Sequence, residues 1–248
     1  LTVDGSTYVQ VGDGETFTLK NGTVNWANNN TSYISVRAGE GSTIAFEDVE
    51  MDMGGKSILI DYGTEAARID VIDSEIYTTD YYCISTNASD TTSGQNVEIN
   101  VINSTLTAND PNGDCTAILM NVPGTLTVEN SEITAGRQAV IVRTGTATIK
   151  NSTLNNTLAY TEANWAKYDN AGWGSGNEVP VAVLVVGDRS SSAYPWSASC
   201  TLENVELVYG KETTRKPIYA AAYDGQTTTV NGVSADQVTV SADANGVT

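Results

Sequence analysis

Apolar residues recur along this chain in short alternating runs, and each run ends on the same kind of polar residue. The segments "FTLKNGTV", "IAFEDVEM", "IDVIDSEI", "INVINSTL", "LTVENSEI", "ATIKNSTL", "CTLENVEL" and "TTVNGVSA" follow one another in order. Each sets apolar residues two apart, then Asn, Asp or Gly, and most place a further apolar residue three positions on. The marker residues are Asn21, Asp48, Asp73, Asn103, Asn130, Asn151, Asn204 and Asn231, the last beside Gly232. Their successive spacings are 27, 25, 30, 27, 21, 53 and 27 residues. A fixed period of this length is the mark of a stacked repeat architecture.

Between markers lies a second apolar segment: "YISVRAG", "SILIDYG", "CISTNAS", "AILMNVPG", "AVIVRTG", "VAVLVVGD" and "IYAAAYDG". Every interval holds one, including the interval of 53, which is therefore one repeat carrying an insertion. Each repeat is expected to supply three short strands: the "ILID"-type strand first, then one on each side of the Asn bend. Alternation puts Ile99 and Val101 on one face and Asn100 and Ile102 on the other. One repeat cannot bury its apolar face, but stacked repeats can. Parallel stacking at ~4.8 Å per coil makes a rod of roughly 35 Å over seven intervals. Asn and Asp tolerate the left-handed backbone of a sharp bend, and stacked Asn side chains can bond along the rod.

The pattern "V-x-N-S-x-L" followed by "x-I-x-I-x-x-G" resembles the right-handed parallel β-helix of the pectin lyase-like superfamily, from about Phe17 to Val240. The expectation is an all-β chain: a right-handed parallel β-helix of about seven to eight coils, one domain over residues 1–248. A β-sandwich does not explain the period, and a left-handed helix has a shorter hexapeptide repeat. The resemblance implies a substrate groove along the outside of the first-strand sheet, walled by loops. The superfamily spans lyases, hydrolases, esterases, epimerases, tailspikes and non-catalytic surface proteins, so the fold alone names no activity.

Turn lengths single out one coil. An insertion of about 155–180 precedes the strand in "VPVAVLVVGD", and a second loop, 189–199, follows it. The first holds Tyr160, Trp165, Tyr168 and Trp173; the second holds Tyr194 and Trp196. These six rings are the candidate ligand-binding residues, expected over the outward face of Ala182, Leu184 and Val186. Trp and Tyr present flat faces with a polar edge, which suits the C–H faces of sugars. The competing expectation is that "NWAKYDNAGW" is a small core of its own, packed on an apolar outer sheet face.

Composition then removes function classes. A formal net charge of −18, from 12 Lys plus Arg against 30 Asp plus Glu, argues against nucleic acid. No apolar run is long enough to span a bilayer. There is no His, so catalysis would fall to carboxylates, Lys, Arg, Tyr or Cys. Asp169 and Asp188, with Glu178 nearby, are the catalytic candidates as a carboxylate set for a lyase or glycoside hydrolase. On the first-strand sheet the outward candidates are Arg37, Asp61 and Arg143, on different coils and without an acidic cluster. The balance is against an enzyme.

Asp110, Asn112 and Asp114 in "NDPNGDC" resemble the start of a calcium loop, the metal candidate, although no Gly follows Asp114 and no bidentate Glu arrives. No cofactor is required, and calcium is the one such a turn would take. Cys200 is expected inward, in line with Ile69, Ile99 and Leu126. Cys83 and Cys115 are expected offset by about two residues near the first strands of adjacent coils; a disulfide forms there only if the register closes that gap, and free thiols are the favoured expectation. The sequon-like triplets at Asn103 and Asn151 arise from the repeat itself.

The function expected from sequence is a non-catalytic carbohydrate-binding or adhesin module at a bacterial cell surface or outside the cell. Its partner would be a polysaccharide or surface glycan. The alternatives are a polysaccharide-active enzyme or a structural spacer. The start "LTVDGSTYVQVGDGETF" is expected to cap one end, whereas "VTVSADANGVT" is no obvious cap, which reads as a module of a longer multidomain chain.

Overall fold

The structure is a computed structural model. It describes residues 1–4, 8–27, 34–54, 56–60, 63–79, 82–86, 96–110, 115–157, 180–187, 196–209, 216–222 and 225–240. These form a parallel β-helix. Every strand pair is parallel, each strand bonding to its counterpart one coil away. One coil illustrates the path. Thr116–Met120 lies in the first sheet and Gly124–Glu129 in the second; Asn130 turns the corner into Glu132–Ala135 of the third. A short turn then leads to Gln138–Val142, back in the first sheet one coil further on.

Among the described residues, nine strands make up the first sheet, from Val9–Gln10 to Val238–Val240. All seven "ILID"-type segments contribute to it. Two short strands add to them, one at each end. Thr2–Asp4 and Val9–Gln10 pair in parallel with Asn25–Ala27 and Val36–Arg37, so the expected cap at the start belongs to the stack itself. Val238–Val240 likewise pairs with Ile218–Ala220. The second and third sheets are continuous at the start of the rod, where Thr16–Ala27 and Thr43–Asp52 each run through the bend as single strands.

Inward positions form unbroken columns. Phe17, Ile44, Ile69, Ile99, Leu126, Ala147, Cys200 and Val230 are successive register partners in the second sheet. Val36, Ile58, Ile84, Ile118, Val140, Leu184 and Ile218 form the matching column in the first. All but Phe17 and Val230, in the terminal coils, are buried within one continuous core. Burial is the main stabilising term, and it couples each coil to its neighbours.

The polar bend is built with equal regularity. Asn21, Asp48, Asp73, Asn103, Asn130, Asn151 and Asn204 all take φ between 48° and 56°. The last marker is not on this rung: Asn231 pairs with Thr201, inside the strand Thr228–Asn231, and the positive φ of that coil, 82°, falls on Gly232 beside Leu202. Asn103 Nδ2 donates to Asp73 Oδ1 at 3.0 Å, Asn130 Nδ2 to Asn103 Oδ1 at 3.2 Å, and Asn204 Nδ2 to Asn151 Oδ1 at 3.0 Å.

A second ladder runs beside it, built from the serine that follows the marker in four coils. Ser74, Ser104, Ser131 and Ser152 each follow a marker and are buried. Each hydroxyl donates to the carbonyl two residues earlier, at 2.6–2.7 Å. Each also accepts a backbone N–H from the preceding coil: Val49, Ser74, Ser104 and Ser131, at 3.0–3.1 Å. A hydroxyl has one proton and two lone pairs, so it can serve both coils at once. The next coil has Val205 at this place, and the ladder stops there. Ser104→Ala is expected to strand the buried Ser74 N–H and cost about 1–3 kcal/mol, read as a lower urea midpoint.

Candidate functional site

The coil with the insertion keeps the rod's register on all three sides. Val140–Val142 pairs with Leu184–Val186, Gly145–Lys150 with Ala198–Glu203, and Thr153–Asn155 with Glu206–Val208. The extra chain thus leaves and rejoins without displacing a single rung.

Its exits are fixed by buried amides. Asn156, 3% exposed, donates from Nδ2 to the Gly136 carbonyl at 3.0 Å and also to the Arg137 carbonyl. The Thr157 N–H bonds the Ala135 carbonyl at 2.9 Å. At the return, Gln138 Nε2 donates to the Pro180 carbonyl at 2.8 Å, while Gln138 Oε1 accepts from Thr116 Oγ1 at 2.7 Å. The second loop returns at Trp196. The carbonyl of Ser197 accepts from the Gly145 N–H at 3.0 Å, and its hydroxyl accepts from the Thr227 N–H at 3.1 Å. These buried amides tie the start and the return of the insertion to neighbouring coils of the scaffold. The sequence signal for Gln138 was a polar residue opening the apolar run "AVIV".

Of the six candidate rings, Trp196 is described, half-buried at the rim between the first and second sheets. Tyr160, Trp165, Tyr168, Trp173 and Tyr194 lie outside the described residues, as do Asp169, Glu178 and Asp188. Asn112, Asp114 and Asp61 lie outside them too. Asp110 is half-buried, and its backbone N–H points to Cys115 Sγ at 3.5 Å. Among the described residues no three His, Cys, Asp or Glu side chains are grouped to hold a metal.

The outward face expected beneath the rings needs correcting. Leu184 and Val186 point into the core, and Val185 points out, together with Ala182. The alternation slips because the Pro217 carbonyl accepts from both Val183 and Leu184, at 2.9 and 3.2 Å, placing these two neighbours both on the core side. The register partners of Val185 on this outer face are Ile141 and Tyr219, with Leu119 beyond Ile141. All four are at most 2% exposed, so the face is apolar and closed to solvent along these coils. Arg143, expected as an outward group, is also fully buried.

Four carboxylates rim an open depression of about 410 Å³ outside the bend of the early coils: Asp48, Glu50, Asp73 and Glu75. Glu50 and Glu75 are direct register partners, so like charges stack there. Lys20 is engaged with Glu47 at 2.6 Å on the neighbouring sheet.

The three cysteines are free and buried, with Cys200 at its inward place. Burial pushes the Cys200 thiol up to about 12. Burial and then the neighbouring Cys115 push Cys83 up as well, against a backbone hydrogen bond from Thr107. Both are therefore protonated and unreactive in the folded chain at pH 8. A disulfide-exchange reagent at that pH is expected to label them only at the rate of unfolding, checked by stopped-flow with and without urea.

A scan against protein-family models finds no match to this chain, and neither the curated proteins nor the solved structures yield one.

Proposed function

We propose that the protein is a non-catalytic module of an extracellular or cell-surface protein that binds a polysaccharide through its elaborated coil. In this reading the rod is a right-handed β-helix of the pectin lyase-like type. The right-handed sense is what parallel strand connections overwhelmingly adopt. The observation that carries the proposal is that both expanded turns flank one strand, Leu184–Gly187, while register on every side is unbroken. A rod that stacks through its columns gains nothing in register from the added chain, and binding residues gather on loops held by rigid scaffolds. Four of the chain's 16 Trp and Tyr residues fall in 160–173, and the second loop adds Tyr194 and Trp196.

A structural spacer is the second reading, supported by the closed outer face at Leu119, Ile141, Val185 and Tyr219. Rings committed to covering that face would not be open to a ligand. A glycan array, probed with and without calcium, separates the two. Wild type is expected to bind, and a folded Trp165→Ala, Trp173→Ala, Trp196→Ala variant is expected to lose binding. Absence of binding by wild type would favour the spacer. Turnover of the bound glycan would instead bring back an enzyme.

A further inference from the structure

The outer face of the first sheet changes character along the rod. Its register column begins with Gln10 and Arg37, both polar, and passes through the buried Leu59 and Ser85 to the closed apolar strip beyond. At the polar end lies an open depression of about 350 Å³, lined by Gln10, Asp13, Arg37, Glu40 and Thr64 over a floor of Ala38 and Gly39. That volume is within the range of small-ligand sites.

The floor is rigid. Two successive turns, "VGDGE" and "AGEGS", stack on each other and on the coil above. Gly14 N–H bonds the Glu40 carbonyl at 2.8 Å and Gly41 N–H bonds the Glu65 carbonyl at 2.8 Å. Asp13 Oδ1 accepts the Glu40 N–H at 3.0 Å. A Cβ on Gly39 would fall 2.5 Å from the Val11 carbonyl oxygen and 2.8 Å from Asp13 Oδ1, so glycine is what lets the turns close this tightly. On the wall, the Arg37 guanidinium lies over the Tyr8 ring, 5.2 Å from its centroid, and Tyr8 is 45% exposed. Stacking of this kind holds the planar cation in one orientation.

We propose that this depression is a second binding site, on coils remote from the aromatic one, for a neutral sugar or similar polyol. The chemistry selects that class. The Arg37 guanidinium carries five N–H donors in one plane, more than a single partner takes up; Asp13 keeps a second carboxylate oxygen beside the one that holds the Glu40 N–H; Glu40 adds a carboxylate and Thr64 a hydroxyl that both donates and accepts. Vicinal hydroxyls, each donor and acceptor, match such a mixed set. The two carboxylates and the chain's net charge of −18 repel anions, and Arg37 offsets part of their pull on a cation.

The test is isothermal titration of the full chain with neutral hexaoses of glucose, xylose, mannose and galactose. Three variants are compared with wild type: Arg37→Leu, Glu40→Ala, and the triple Trp→Ala variant. Glu40 is exposed, so its variant remains informative if Arg37→Leu folds poorly. Binding that falls about tenfold or more in Arg37→Leu or Glu40→Ala, the scale of a lost charge-assisted bond, supports the site. Binding untouched by both but lost in the triple variant overturns it and leaves the aromatic coil as the one site. Binding lost in both sets supports both sites. Absence of binding to every hexaose by wild type overturns the site here, while the aromatic-coil proposal still stands or falls on the wider array.

Discussion

Phe46→Ala is expected to lower the unfolding free energy by about 3–5 kcal/mol, the usual cost of emptying a large buried aromatic site. Phe46 is fully buried between Leu19 and Val71 in one inward column, and its ring meets Phe17 edge-on, with centroids 6.4 Å apart and planes at 85°. Neighbouring side chains belong to fixed rungs and cannot collapse into the gap without breaking register. The consequence should be local before it is global, because each coil is coupled only to its neighbours. Trp26 reports on this region. It is 2% exposed in the early part of the rod, whereas the other three Trp lie beyond residue 160. In urea, Trp26 of the variant should become exposed before the later coils lose their circular dichroism. A single coincident transition with an unchanged midpoint would contradict the packing described.

Gly187→Ala is the second large effect, on the order of 4 kcal/mol. Gly187 ends the strand between the two expanded turns, with φ at 83°. A side chain there first incurs about 1–2 kcal/mol for left-handed backbone. Its Cβ would then fall 1.8 Å from the Ala221 carbonyl oxygen and 2.3 Å from Thr228 Oγ1. Those two atoms share a buried hydrogen bond of 2.6 Å, which the intruding methyl must break, adding about 1–3 kcal/mol. Gly63→Ala is the control. It has φ at 80° but nothing within 4 Å of its Cβ, so only the backbone penalty applies. Thermal melts of the two variants should differ severalfold in their shift. Equal shifts would mean that the close approach at Gly187 does not exist in solution.

The repeat and the bend were legible in the sequence because one-residue alternation and Asn at a left-handed position have direct chemical causes. Asn21 to Asn204 take the conformation their residue type allows, and Cys200 falls where column counting put it. Asn231 did not follow, because its strand pairs with Thr201 opposite Asn231, three residues away from the alignment that would put it beside Asn204, and the turn there uses Gly232. The serine ladder was hidden in plain view: "NST", "DSE" and "NSE" look like generic turn polarity until the coils are stacked. Leu184 and Val186 were placed on the wrong face because alternation assumes a regular strand. A carbonyl shared by two successive N–H groups shifts the parity by one. Tertiary closure was invisible for a similar reason. Nothing local in Ile141 or Val185 says whether an outward apolar residue is covered. The polar depression at Arg37 was missed because its members come from three coils, and only Arg37 drew notice in the sequence.

Hydrogen–deuterium exchange of the full chain, with and without the tightest-binding oligosaccharide of the array, tests the central claim most directly. The account predicts added protection in peptides spanning residues 157–197, with the rungs at Ile99, Leu126 and Ala147 unchanged because they are already bonded on both sides. Protection in residues 8–64 would accompany it if the second site is occupied. Protection spread evenly along the rod, or absent from 157–197, would contradict the claim that the elaborated coil carries the binding function.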